Sequence, residues 1–104
     1  MPRVGFKMKL FPGREEEYER RHRDLWPELK ALLQKAGVKE YSIFLDEETN
    51  LLFGCLVVDN KEDLDRLPDD PVMKKWWAFM KDIMETNSDN SPVILPLKEV
   101  FYLP

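Results

Sequence analysis

An α+β domain with the element order βαββαβ is predicted by three features of this sequence. The chain opens on an alternating apolar strand, carries two amphipathic helical stretches, and holds an apolar run between them. Val4, Phe6, Met8 and Leu10 alternate with Gly5, Lys7 and Lys9, the period of a half-buried strand. Pro12-Gly13 breaks it. A helix is expected from about Arg14, with Glu15, Glu16 and Glu17 in its first turn, where the helix dipole favours acids. It should end near Gly37, the residue type expected just past a C-terminus. Pro27 cannot donate to the carbonyl of Arg23, so a kink or break is expected there. Lys39 to Leu45 reads as a second strand with Tyr41, Ile43 and Leu45 on one face. After a polar turn, Leu51 to Val58 is apolar on both faces and should be a central, doubly covered strand. Gly54 within it leaves room for a close approach or marks a bulge. A short helix is expected between Asp59 and Asp70. Asp70-Pro71 then supplies an N-cap and a first-turn proline for a longer helix ending near Met84. Thr86 to Pro92 is a loop by composition, and Val93 to Leu103 a last strand that Pro96 confines to an edge or a bulge.

This order is the split βαβ, ferredoxin-like plan: an antiparallel sheet with helices on one face. The length of 104 residues fits one domain, 1–104, with one modest core. Helices on one face leave the other side of the two-faced apolar strand uncovered. A second copy of the chain is the economical cover, so a homodimer of the dimeric α/β barrel type is expected.

Composition narrows the function. With 43% hydrophobic and 35% charged residues the chain reads as a globular domain, and its net charge of −4 argues against a nucleic-acid partner. No apolar run approaches the ~20 residues needed to cross a bilayer, and the start has no apolar leader, so a cytoplasmic location without membrane contact is expected. The lone Cys55 reads as a small core residue. One His and one Cys leave no dense metal-ligand set, and no metal is expected.

His22, the one histidine, falls on an apolar helical stripe with Tyr18 a turn before it and Trp26 a turn after. A proton carrier with a free pKa near 6.5 therefore points inward. Two readings are open: a satisfied core histidine, or an acid–base group in a pocket. In the second helix Trp76 falls at about 40° and Trp77 at about 140° from Val72, so Trp76 should pack inward and Trp77 rim a cleft. If the strand face of Tyr41 meets the helices, its hydroxyl comes near Tyr18 and His22. Two tyrosines, two tryptophans and a histidine suit an uncharged polyhydroxylated ligand. No glycine-rich phosphate cradle or nucleophile motif accompanies them.

The segments Tyr18-Glu19-Arg20-Arg21-His22, Leu25-Trp26-Pro27-Glu28-Leu29 and Tyr41 to Asp46 resemble the L-rhamnose mutarotase family. So do Asn50 to Phe53, Trp76-Trp77, Asp89 to Pro92 and the ending Glu99 to Pro104. The resemblance runs the whole chain. It implies a cytoplasmic homodimeric isomerase that exchanges the α and β anomers of L-rhamnose, or a related monosaccharide, without a cofactor. It also implies that His22 is the catalytic acid and that Tyr18, Tyr41, Trp76 and Trp77 contact the sugar. Ala78-Phe79 and Ser88 depart from residues the family can carry, outside those five positions.

Mutarotation opens a cyclic hemiacetal and recloses it on the other face of C1. It needs a proton delivered to the ring oxygen and one removed from the anomeric hydroxyl. Tyr18, Tyr41 or a water are the candidate acceptors, although a phenol of pKa near 10 is a poor base. The rival expectation is a non-catalytic or haem-binding member of the same barrel fold, with His22 as iron ligand.

Overall fold

Strand β1 (Arg3–Lys9) forms where apolar and polar residues alternate, and it buries Phe6 and Met8 on one face. The structure, a computed structural model, describes residues 2–104. The first helical stretch is two helices, α1 (Glu15–Arg23) and α2 (Pro27–Lys35). Pro27 causes the break: it lacks an N–H for the helical ladder and drives the preceding residue out of helical conformation. Trp26 accordingly sits at ψ 131° and caps α2. Helix α2 gives way to Gly37 at φ +89°, the left-handed position that favours glycine.

Strands β2 (Val38–Asp46) and β3 (Leu51–Val58) follow, joined by a turn. The polar stretch after them holds α3 (Lys61–Leu64) and a single 3₁₀ turn at Leu67–Asp69. Helix α4 (Pro71–Met80) starts where expected, with the Asp70 carboxylate accepting the Val72 N–H at 2.8 Å.

Two boundaries differ from the sequence expectation. Helix α4 stops at Met80, not near Met84. The chain turns back to pair with the end of the first strand: Phe11 N–H donates to Ile83 O at 3.0 Å and Glu85 N–H to Lys9 O at 2.9 Å. Ile83 and Met84 still reach the core, through this turn rather than through a helical stripe. The last strand, expected over Val93 to Leu103, is only β4 (Leu95–Leu97). Beyond it Arg3 engages the chain by side-chain contacts instead, with Glu99 at 3.6 Å and its guanidinium 4.5 Å from the centre of the Tyr102 ring.

The sheet runs β2-β3-β1-β4, and every neighbouring pair is antiparallel. The ferredoxin-like arrangement is therefore as expected. The helices cover the face that carries Phe6, Met8, Leu52, Leu56 and Val58. Gly54 is not a bulge: it pairs in register with Phe6, and the Phe6 ring fills the space a Cβ would take. The other face holds Phe44, Phe53, Cys55, Leu95 and Leu97, as the pairing register places them. Cys55, expected in the core, is thus a half-buried residue of the open face. Strand β3 is central; on its second apolar side Leu51, Phe53 and Cys55 are half-buried and Val57 is buried, so this single chain covers that side only in part.

Candidate active site

Between the helices and the covered sheet face lies a cavity of about 1210 Å³. All five site residues expected from the sequence line it: Tyr18 and His22 from α1, Tyr41 from β2, and Trp76 and Trp77 from α4. Helix α1 brings Tyr18 and His22 together by their i, i+4 spacing. Their rings stack with centroids 4.3 Å apart. The edge of the contact is closed by Trp76, perpendicular to the imidazole at 5.5 Å. Trp76 is 8% exposed and Trp77 only half-buried, the difference their wheel positions imply.

The imidazole Nδ1 lies 2.9 Å from the backbone carbonyl of Tyr18. A carbonyl only accepts, so the Nδ1 proton is held there and Nε2 of the neutral ring keeps its lone pair. Burial pushes the His22 pKa below its ordinary value, against the opposing pull of the Tyr18 carbonyl. The resting ring is neutral near pH 7, with Nε2 the one nitrogen left to exchange a proton.

The tyrosines are shifted the other way. Burial raises Tyr18, with a smaller contribution from Tyr41 beside it. Tyr41 is 40% exposed as a residue and lines the cavity, and burial pushes its phenol up to about 12. Phenols held protonated donate hydrogen bonds, and neither is a base at neutral pH. Tyr41 is also braced edge-on by Phe6, with centroids 6.2 Å apart. Around the cavity mouth stand Glu15, Glu16, Glu19 and Glu47, and among the described residues no lysine or arginine lines it. Such a site suits an uncharged polar ligand with apolar faces: indole and phenol rings for its C–H surfaces, and hydroxyl, indole and imidazole groups for its oxygens. Among the described residues no cluster of three or more His, Cys, Asp or Glu side chains is placed to hold a metal.

One residue of this neighbourhood escaped the sequence reading. Arg21, which appears there only inside the segment Tyr18 to His22, is the one buried charged side chain among the described residues, at 9% exposure. Its position on the wheel, about 60° from Tyr18 and so at the edge of the apolar stripe, was a usable signal. A charge on the apolar face of a helix needs a buried partner.

The α+β fold, the aromatic cavity and the fixed imidazole define a ferredoxin-like domain with a small-molecule site under its helices. A family model described as L-rhamnose mutarotase matches residues 3–103. The chain is 58% identical over 102 residues to an L-rhamnose mutarotase of Brucella anthropi, covering 98% of this chain and 96% of that one. It is 59% identical over 100 residues to that of Agrobacterium fabrum, covering 96% and 94%. The crystal structure of an L-rhamnose mutarotase from Formosa agariphila superposes with a TM-score of 0.93 at 53% identity over 100% of both chains. This chain belongs to the L-rhamnose mutarotase family. A solved antibiotic biosynthesis monooxygenase, 12% identical with a TM-score of 0.62 over 96% of this chain and 99% of that one, shares the fold alone.

Proposed function

We propose that this chain interconverts the α and β anomers of L-rhamnose, or of a closely related monosaccharide, with His22 as the group that delivers the proton to the ring oxygen. Tyr18, Tyr41, Trp76 and Trp77 hold the sugar. The observation that carries this reading is the fixed imidazole: Nδ1 tied to the Tyr18 carbonyl at 2.9 Å, in a residue that lines an aromatic cavity.

The same geometry supplies a base. The anomeric oxygen and the ring oxygen share C1, so one nitrogen can reach both. Neutral His22 takes the anomeric hydroxyl proton on Nε2 and becomes an imidazolium. It then gives that proton to the ring oxygen as the C1–ring-oxygen bond breaks, leaving an aldehyde at C1 and a hydroxyl on the former ring oxygen. Rotation about C1–C2 presents the other face of the aldehyde, and the steps run in reverse. Atoms and charge balance without a cofactor. The 6-methyl group of L-rhamnose gives the indole wall an apolar anchor of about 1 kcal/mol.

Assembly as a homodimer through the open sheet face belongs to this reading. Phe44 at 66% and Leu95 at 52% exposure form part of an apolar surface that a second copy would cover. A cytoplasmic location belongs to it too. The half-buried, unpaired Cys55 requires no oxidising compartment, and among the described residues no helix is long and apolar enough to cross a membrane.

The test is exchange spectroscopy on the anomeric protons of L-rhamnose at equilibrium. Added protein should produce cross-peaks between the α and β signals at mixing times where buffer alone gives none. Sugar binding without accelerated exchange would make the chain a binding module, and a visible haem band in purified protein would favour the iron-ligand reading.

A further inference from the structure

Helix α1 carries both Tyr18 and His22, yet among the described residues its hydrogen bonds to distant parts of the chain come from a single side chain. The other side-chain bonds of α1 stay within the helix or its flanks: Arg20 with Glu17 and Asp24, Arg23 with Glu19. Arg21, adjacent to His22, reaches across to the end of α4. Its Nη1 donates to Phe79 O at 2.6 Å and to Asp82 Oδ1 at 2.9 Å, and Nη2 donates to Asp82 Oδ2 at 3.1 Å. Its Nε is held from behind by Glu17 at 2.7 Å. The guanidinium plane lies 4.3 Å from the centre of the Phe79 ring. That ring packs on Trp76 at 5.6 Å and on Trp26 at 5.4 Å.

We propose that Arg21 is a positioning residue for this site: its clasp on Phe79 and Asp82 sets the distance between the His22 imidazole and the Trp76–Trp77 wall. The inference rests on the reading of His22 and the tryptophans given above. The physical logic is the fork. A guanidinium meets a carboxylate through two parallel bonds in one plane and so fixes orientation as well as distance, whereas an ammonium fixes neither. Phe79 O belongs to the last turn of α4, where carbonyls lack helical partners, so the same side chain also closes the helix that bears both tryptophans. The chain from fork to Phe79 to Trp76 to His22 is continuous contact. A shift of α1 along α4 by about 1 Å is enough to cost on the order of 10²-fold in turnover at a site that depends on placement.

The experiment uses Arg21→Lys and Asp82→Asn in the full-length protein. Three quantities are read: kcat and KM for L-rhamnose anomer exchange, thermal stability, and the imidazole Cε1–H signal. The chain has one histidine, so that signal is unambiguous. The expected result, at a temperature where each variant is folded, is a kcat lowered about 10–10²-fold for Arg21→Lys, with a smaller loss for Asp82→Asn, which keeps one acceptor oxygen but loses the charge and the second acceptor. KM should change less. The Cε1–H signal should move as the ring currents of Tyr18 and Trp76 change. Folded variants with wild-type kcat and an unmoved histidine signal would overturn the proposal, leaving Arg21 a staple of the fold. If Arg21→Lys does not fold, Asp82→Asn decides alone by the same readings. His22→Ala in the same assay separates the two claims: full activity there defeats the reading of the site, while loss there with wild-type behaviour of both clasp variants defeats only the positioning role.

Discussion

At the scale of the residue, the decisive atom is Nε2 of His22. Because burial lowers its pKa, the neutral form that begins the relay is the resting form. Exchange should therefore hold steady from neutral pH upward and fall as the pH drops through the lowered pKa, somewhere below about 6.5. A protein-dependent rate that climbs toward acid would mean that the imidazolium starts the reaction. The same shift bears on stability. A histidine that binds its proton less tightly when folded leaves the unfolded chain with more protons in acid, so stability falls as pH drops below about 6.5. His22→Ala should flatten that part of the stability profile, measured by denaturant midpoints against pH. The tryptophans should separate in kind. Trp76→Ala removes a buried ring packed on Trp26, Phe79 and His22, and should cost roughly 3–5 kcal/mol. Trp77→Ala should keep more of the fold and weaken sugar binding. Equal thermal shifts with unchanged affinity would contradict the division.

At the scale of the element, local chemistry was legible where one residue dictates the backbone. Pro27 announced the gap between α1 and α2, Asp70-Pro71 announced the start of α4, and alternation announced β1. What could not be read was where a pattern continues after its element has stopped. Ile83 and Met84 prolong the apolar stripe of α4, but backbone bonds to Lys9 and Phe11 claim that segment for the sheet end. The apolar ending after Leu97 reads as strand, while Arg3 draws Glu99 and Tyr102 into side-chain contacts. That Arg21 points inward could be read from its helix, but not what it reaches: Phe79 and Asp82 lie 58 and 61 residues away in sequence. The close pairing of Gly54 with Phe6 gives a prediction at this scale. Gly54→Ala forces the Phe6 ring off β3 and should cost about 1–3 kcal/mol, as overpacking does. Replacing Phe6 by Leu in that variant should recover part of the loss. A Gly54→Ala chain as stable as wild type would show that the ring moves freely.

At the scale of the whole molecule, the second sheet face is only partly covered and is where the proposed second copy would sit, while the five candidate site residues already meet within one chain. A charge placed on the open face, Leu95→Lys, should shift sedimentation toward monomer while leaving the cavity residues in place. Wild-type protein that sediments as a monomer at micromolar concentration would count against the dimer. The candidate site was legible in the sequence as residue types on the inward faces of α1, β2 and α4; their convergence on one cavity depends on the register of β2 against β3. The central claim is that this convergence makes His22 the proton carrier of anomer exchange. It is tested most directly by the α–β exchange rate of L-rhamnose with wild type and His22→Ala at matched folded concentration. The account predicts a loss of ~10²–10⁴-fold in the variant, with sugar binding much less affected. A folded His22→Ala protein that exchanges the anomers as fast as wild type would contradict it.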